Sequence, residues 1–122
     1  MGCDLVDSRR IERLLKKYDS CFLKRILSRE ELNIYYSLDS AQDYKIRFLS
    51  KRFAAKEAVS KALGVGIGRG LSFCDISVQN DVFGAPFVNI YAPGSNVVAN
   101  YKIQLSISDE WPIALAFVVI SS

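Results

Sequence analysis

Histidine is absent from all 122 residues. That excludes Ser-His-Asp triads, imidazole metal sites and imidazole acid–base chemistry. Any catalysis falls to carboxylates, Lys, Tyr, Cys, or a metal ion with its water. Cysteine is scarce: Cys3, Cys21 and Cys74 are odd in number, widely spaced and form no CxxC pair. This argues against a zinc site or redox motif, and for a reducing, cytoplasmic setting in which the thiols act as small apolar groups. Long hydrophobic runs are also missing. The most apolar stretch, Ile113 to Ile120, is too short to cross a bilayer, and no segment reads as a signal peptide. The opening Met1-Gly2-Cys3 hints at lipidation, but Val6 stands where a myristoylation motif needs Ser or Thr.

The chain has one domain's length, read as a single unit over 1–122, and half of it is hydrophobic. A core of that size gains from burying more surface in an oligomer. Charge is uneven. Residues 1–61 carry fourteen Lys/Arg against nine Asp/Glu, and 62–122 carry two against four. A basic half of this kind suits an anionic ligand or an acidic partner.

Periodicity divides the chain into helices followed by strands. Gly2 to Val6 reads as a strand, with Asp4 interrupting its apolar run. Asp7-Ser8 caps a helix from about Arg9 to Lys17, and Phe22 to Leu27 adds a further helical turn or two. Ser28-Arg29-Glu30-Glu31 is a capping-box pattern that starts a helix reaching Tyr36, and Leu38 to Asp43 is a polar link. The longest helix spans about Tyr44 to Leu63 and stops at Gly64, opening the loop Gly64-Val65-Gly66-Ile67-Gly68-Arg69-Gly70. Strands are expected at Asp75–Gln79 and Pro86–Tyr91, a short helix at Ser95–Asn100, an alternating strand at Lys102–Ser108, and an apolar strand at Ile113–Ile120 that is central or at an interface. The fold class is α+β: an N-terminal strand and helices, then a mainly antiparallel sheet.

Within Arg52-Phe53-Ala54-Ala55-Lys56-Glu57-Ala58-Val59-Ser60-Lys61, Glu57 and Lys61 share a helix face, and Arg52, five before Glu57 and nine before Lys61, lies near that side. By spacing alone Glu57 and Lys61 read as an exposed pair worth ~0.3–0.5 kcal/mol. Context favours more. Ala54, Ala55, Ala58 and Ala62 permit close approach by backbone or ligand, and the helix runs into the glycine loop. That loop is neither a P-loop nor a dinucleotide fingerprint, since no Gly-Lys-Ser/Thr closes it and no strand leads into it. Asp4, a carboxylate in an apolar strand, needs a partner, a strand-end cap role or a metal. Mg²⁺ takes one or two carboxylates together with phosphates and waters. The basic stretch Arg9 to Arg25 is either a solvated face or a dock for an acidic partner. It lacks the interleaved aromatics of a nucleic-acid binder.

Gly2 to Asp7 with Arg10-Ile11, Arg25-Ile26-Leu27, the block Arg52 to Lys61 with Gly64 to Gly68, Asp75-Ile76, Gly84-Ala85-Pro86 and Ser106-Ile107-Ser108 together resemble holo-acyl-carrier-protein synthase, the small trimeric class of 4′-phosphopantetheinyl transferases. The resemblance implies that fold, and transfer of 4′-phosphopantetheine from coenzyme A to a serine of acyl carrier protein in fatty acid biosynthesis. It also implies a homotrimer with sites at subunit interfaces, and no role for nucleic acid or membrane. Asp4 and Glu57 match Mg²⁺ ligands, and Lys61 matches the lysine near the reacting phosphate. Arg52, Gly64, Ile67, Gly68, Pro86, Ser108 and Asp109 match positions around the cofactor, with Lys61. Arg10, helped by Lys24 and Arg25, matches carrier-protein docking. Glu57, Asp4 or a metal-bound water takes the serine's proton. Asp109 departs from the family, which usually has His there; either Asp109 turns away, or a nearby cation such as Lys102 or the metal shell compensates. A non-catalytic binder of coenzyme A or of an acidic helix, and a basic nucleic-acid binder, are the alternatives.

Overall fold

In the computed structural model, residues 1–39, 41–68, 70–91 and 101–122 are described. The chain opens with strand β1 (Gly2–Asp7), then helices α1 (Ser8–Tyr18), α2 (Ser20–Ile26), α3 (Arg29–Ser37) and α4 (Gln42–Leu63). A 3-10 turn (Phe73–Asp75) leads to strands β2 (Ile76–Asn80), β3 (Pro86–Ile90), β4 (Lys102–Glu110) and β5 (Ile113–Ser121). The short helix expected at Ser95–Asn100 lies outside the described residues.

Local chemistry sets the helix ends. The Asp7 carboxylate accepts from the Arg9 amide at 2.9 Å and caps α1. Ser28 and Glu31 form the expected box at the start of α3: Ser28 Oγ accepts from the Glu31 amide, and Glu31 Oε1 accepts from the Ser28 amide. Gly64 ends α4 at φ 75°, a left-handed conformation that glycine adopts without strain. The helix starts two residues earlier than its apolar pattern suggests, and Asp43 sits in the first turn, where the helix dipole favours an anion.

Antiparallel strands order as β1-β5-β4 in one sheet, and β2 pairs with β3 in a second. The period of two decides which residues meet α4. Gly2, Asp4 and Val6 of β1 pair with Val118, Ala116 and Ala114 of β5, the buried side chains of that strand. The close approach that the alanines of α4 permit is used by backbone. A Cβ at Gly2 would collide with the Ala58 carbonyl and lie 2.7 Å from the Ala62 nitrogen. Ile113–Ile120 is central, as expected, but only half buried. Ile113, Leu115 and Phe117 alternate outward at 38%, 38% and 43% exposure, and Leu5 joins them on the neighbouring strand. The three cysteines are exposed rather than packed as small apolar groups.

One buried ion pair fastens the helices to β2. Lys56 and Glu31 are both fully buried and bonded at 2.5 Å. Lys56 Nζ also donates to the carbonyls of Ile26 and Phe73, and Glu31 also accepts from the Val78 amide at 2.9 Å. Burial lowers the Lys56 pKa, and Glu31 opposes that shift. Removing one partner strands the other charge in the core. Lys56→Met should cost about 3–5 kcal/mol in urea unfolding. Adding Glu31→Gln to Lys56→Met should recover part of that loss.

Candidate active site

Asp4 stands at the middle of β1 rather than at a strand end, and its register position opposite Ala116 turns it toward α4. Glu57 and Lys61, one turn apart on α4, meet it there. The spacing-based Glu57–Lys61 pair is not what forms. Lys61 Nζ donates to Asp4 Oδ1 at 2.8 Å and to the Cys3 carbonyl at 3.3 Å. The Asp4 side chain is mostly covered, while that of Lys61 is half exposed.

The three charges of this trio act on one another. Burial, then the Asp4 charge, push the Glu57 carboxyl above its ordinary value, with Lys61 and Arg10 pulling back. The hydrogen bond to Asp4 holds the Lys61 ammonium above its ordinary value, against some desolvation. Asp4 has its counter-charge in Lys61, and Glu57 is left without an ion-pair partner among the described residues.

Arg10 joins Glu57 in a groove of about 480 Å³ between α1, α2 and α4, together with Arg25, Phe22 and Phe73. The Arg10 guanidinium lies 5.5 Å over the Phe53 ring, which stacks on Phe73 at 5.3 Å. Of the three docking candidates, Arg10 and Arg25 line this groove, and Lys24 is exposed on α2 outside its lining.

Arg52 is not on the side of Glu57 and Lys61, where sequence spacing put it. It lies one turn before Lys56 and lines a second cleft of about 740 Å³ with Lys51, Asn80, Pro86 and Asp109. It is buried, donates from Nη2 to Asn80 Oδ1 at 3.2 Å, and stacks 3.9 Å over Phe48. Its Nε has no hydrogen-bond partner among the described residues. Burial draws its pKa down, opposed by the Glu31 charge. Asp109 faces Lys51 at 3.9 Å, so the cation beside it is Lys51 rather than Lys102. Ser108 is one residue away on β4 and therefore on the other face of the sheet, opposite Leu115. Gly64, Ile67 and Gly68 follow α4, with both glycines at positive φ.

The sequence reading missed Glu31 and Lys56. A usable signal existed for Lys56: it stands seven residues after Leu49 and three before Val59, in line with the buried stripe of α4.

Residues 1–116 match the family model of the 4′-phosphopantetheinyl transferase superfamily. The chain belongs to that superfamily. A holo-[acyl-carrier-protein] synthase of Orientia tsutsugamushi is 42% identical over 127 aligned residues, covering 100% of this chain and 95% of that protein. The crystal structure of the Neisseria meningitidis holo-[acyl-carrier-protein] synthase superposes with a TM-score of 0.89 at 39% identity, over 99% of this chain and 96% of that one. The Bacillus anthracis synthase, solved in complex with CoA (3′,5′-ADP), gives 0.82 at 39% identity, over 98% and 92%. The antiparallel α+β architecture is that of these transferases.

The raised Glu57 carboxyl carries a pH consequence. A carboxyl whose folded pKa exceeds its unfolded one binds its proton more tightly in the fold. Stability therefore falls as pH rises above 4.5, the ordinary value, through the folded one. Glu57→Gln should raise the thermal midpoint of the metal-free protein at pH 7, and this gain should vanish below pH 4.5. Melting curves across that range check both.

Proposed function

We propose that the chain transfers 4′-phosphopantetheine from coenzyme A to a serine of apo-acyl carrier protein, releasing 3′,5′-ADP, in the fatty acid synthesis of a reducing cytosol. The observation that carries this reading is the meeting of Asp4, Glu57 and Lys61 in a chain of this superfamily. The residues suit Mg²⁺: two carboxylates converge, and the rest of an octahedral shell is left to phosphate and solvent. Asp4 and Glu57 would hold the ion, which supplies charge compensation on the diphosphate of coenzyme A when bound.

The chain's own groups do the rest. Lys61 meets the reacting phosphoryl oxygens, on which charge grows in the transition state. With no histidine available, the serine's proton goes to a carboxylate of the site or to water it orients. Arg10 and Arg25 border a groove with an apolar floor, which suits an acidic helix of the carrier protein presenting apolar side chains. Lys24 adds positive charge beside it. Arg52, Gly64, Ile67, Gly68, Pro86, Ser108 and Asp109 complete the cofactor contacts.

These contacts call for more than one copy of the chain. The cleft of Arg52, Pro86 and Asp109 has none of Asp4, Glu57 or Lys61 in its lining, which supports a cofactor that reaches one set on each of two subunits. A homotrimer is supported by the apolar outer face of the sheet, where Leu5, Ile113, Leu115 and Phe117 are exposed together.

Two measurements test these statements. Mass spectrometry of an apo-acyl carrier protein incubated with the chain, coenzyme A and Mg²⁺ should show added phosphopantetheine. Asp4→Asn or Glu57→Gln should slow transfer by about a hundredfold or more. Unmodified carrier protein from the folded wild type sinks the reading. Separately, light scattering should return three times the 13.7 kDa chain mass. Phe117→Glu should lower that mass and transfer together.

A further inference from the structure

Lys61 makes its two hydrogen bonds to one strand, at Asp4 Oδ1 and the Cys3 carbonyl. The Asp4 contact is a full ion pair at 2.8 Å. The metal proposed for Asp4 is a second cation on the same carboxylate, and an ion held there at about 2.1 Å competes with the ammonium for its charge and lone pairs. A unit charge and a double charge at such separation repel strongly unless an anion lies between them. Lys61 is free to leave. It occupies the last turn of α4 on a flexible four-carbon stem, its side chain is 54% exposed, and it has no other hydrogen-bond partner among the described residues.

We propose that Lys61 is a displaceable counter-ion of Asp4. It neutralises the carboxylate in the metal-free protein, gives way to the divalent ion, and turns its ammonium to the phosphate oxygens of coenzyme A. This rests on the reading that Asp4 and Glu57 hold the metal. Metal and cofactor are then coupled through one side chain. Metal alone must break the Lys61–Asp4 pair, and the loss is offset only when phosphate arrives to take the ammonium.

The test uses Mn²⁺ as the probe, its free concentration followed by electron paramagnetic resonance, with the full chain. Lys61→Met keeps the stem and removes the charge. Without coenzyme A it should bind Mn²⁺ about five- to tenfold more tightly than wild type. Lys61→Arg, which retains the cation, should stay near wild type. With saturating coenzyme A, the advantage of Lys61→Met should disappear or reverse. Equal Mn²⁺ affinity of wild type and Lys61→Met without coenzyme A overturns the inference. So does a gain of the same size with and without coenzyme A, which is the mark of charge removal alone. Asp4→Asn separates the two levels. If that variant loses Mn²⁺ binding, the metal site stands and the Lys61 comparison decides. If it binds Mn²⁺ as wild type does, the site and the counter-ion fail together.

Discussion

The buried pair of Lys56 and Glu31 fixes the rotation of α4, and the placement of the other functional side chains follows from that rotation. Two charges with no solvent exposure are tolerable only when every lone pair and proton has a partner. Here Lys56 reaches Glu31 and the carbonyls of Ile26 and Phe73, while Glu31 receives the amides of Ser28 and Val78. Helices α2 and α3, strand β2 and the turn before β2 are thus tied to one point on α4. Each helical residue advances about 100°. With Lys56 aimed at α3 and β2, Glu57 turns toward β1, and Lys61 follows it one turn later to meet Asp4. Arg52, one turn before Lys56, keeps company with Glu31 and lines the cleft.

This arrangement explains which parts of the molecule could be read from the chain alone. Features written in a few adjacent residues were legible. The Ser28–Glu31 box, the Asp7 cap, the Gly64 stop and the alternation of Lys102 to Ser108 all depend on local backbone geometry and a fixed period. Features that depend on distant partners were not. Lys61 seemed matched to Glu57, four residues away, but β1 brings in Asp4 from 57 residues away. Lys56 carries a charge into the core, which composition rules disfavour unless its partner is known, and Glu31 was visible only as a cap. The apolar run of β5 suggested burial on both faces. The sheet has one helical layer, so Leu115 and Phe117 are left outside.

The candidate residues themselves were picked out by the resemblance, and the structure divides them by face. Asp4, Glu57, Lys61 and Arg10 gather where β1 crosses α4. Arg52, Pro86 and Asp109 line the cleft beside β2 and β3. Ser108 lies on the outer face of the sheet. Spacing within a motif tells which residues share a face of a helix or strand, but not which distant neighbour that face meets. The Arg52 to Lys61 block is continuous in sequence and yet serves two surfaces.

Asp109 shows how a change of charge sign can be absorbed locally. An acid in the cleft where the anionic cofactor is proposed to bind would repel it if left alone. Lys51, on α4 beside Arg52, stands 3.9 Å from the Asp109 carboxylate, and the two cancel to first order. The guanidinium of Arg52 then remains the cleft's buried cation, oriented by Asn80 and Phe48, with Nε making no hydrogen bond among the described residues and lying 3.9 Å from Glu31 Oε2. Its charge is only partly matched by Glu31, which is already engaged with Lys56. The anion proposed for this cleft does not need a histidine there, because the cation that compensates Asp109 comes from the neighbouring helix position and leaves Arg52 undisturbed.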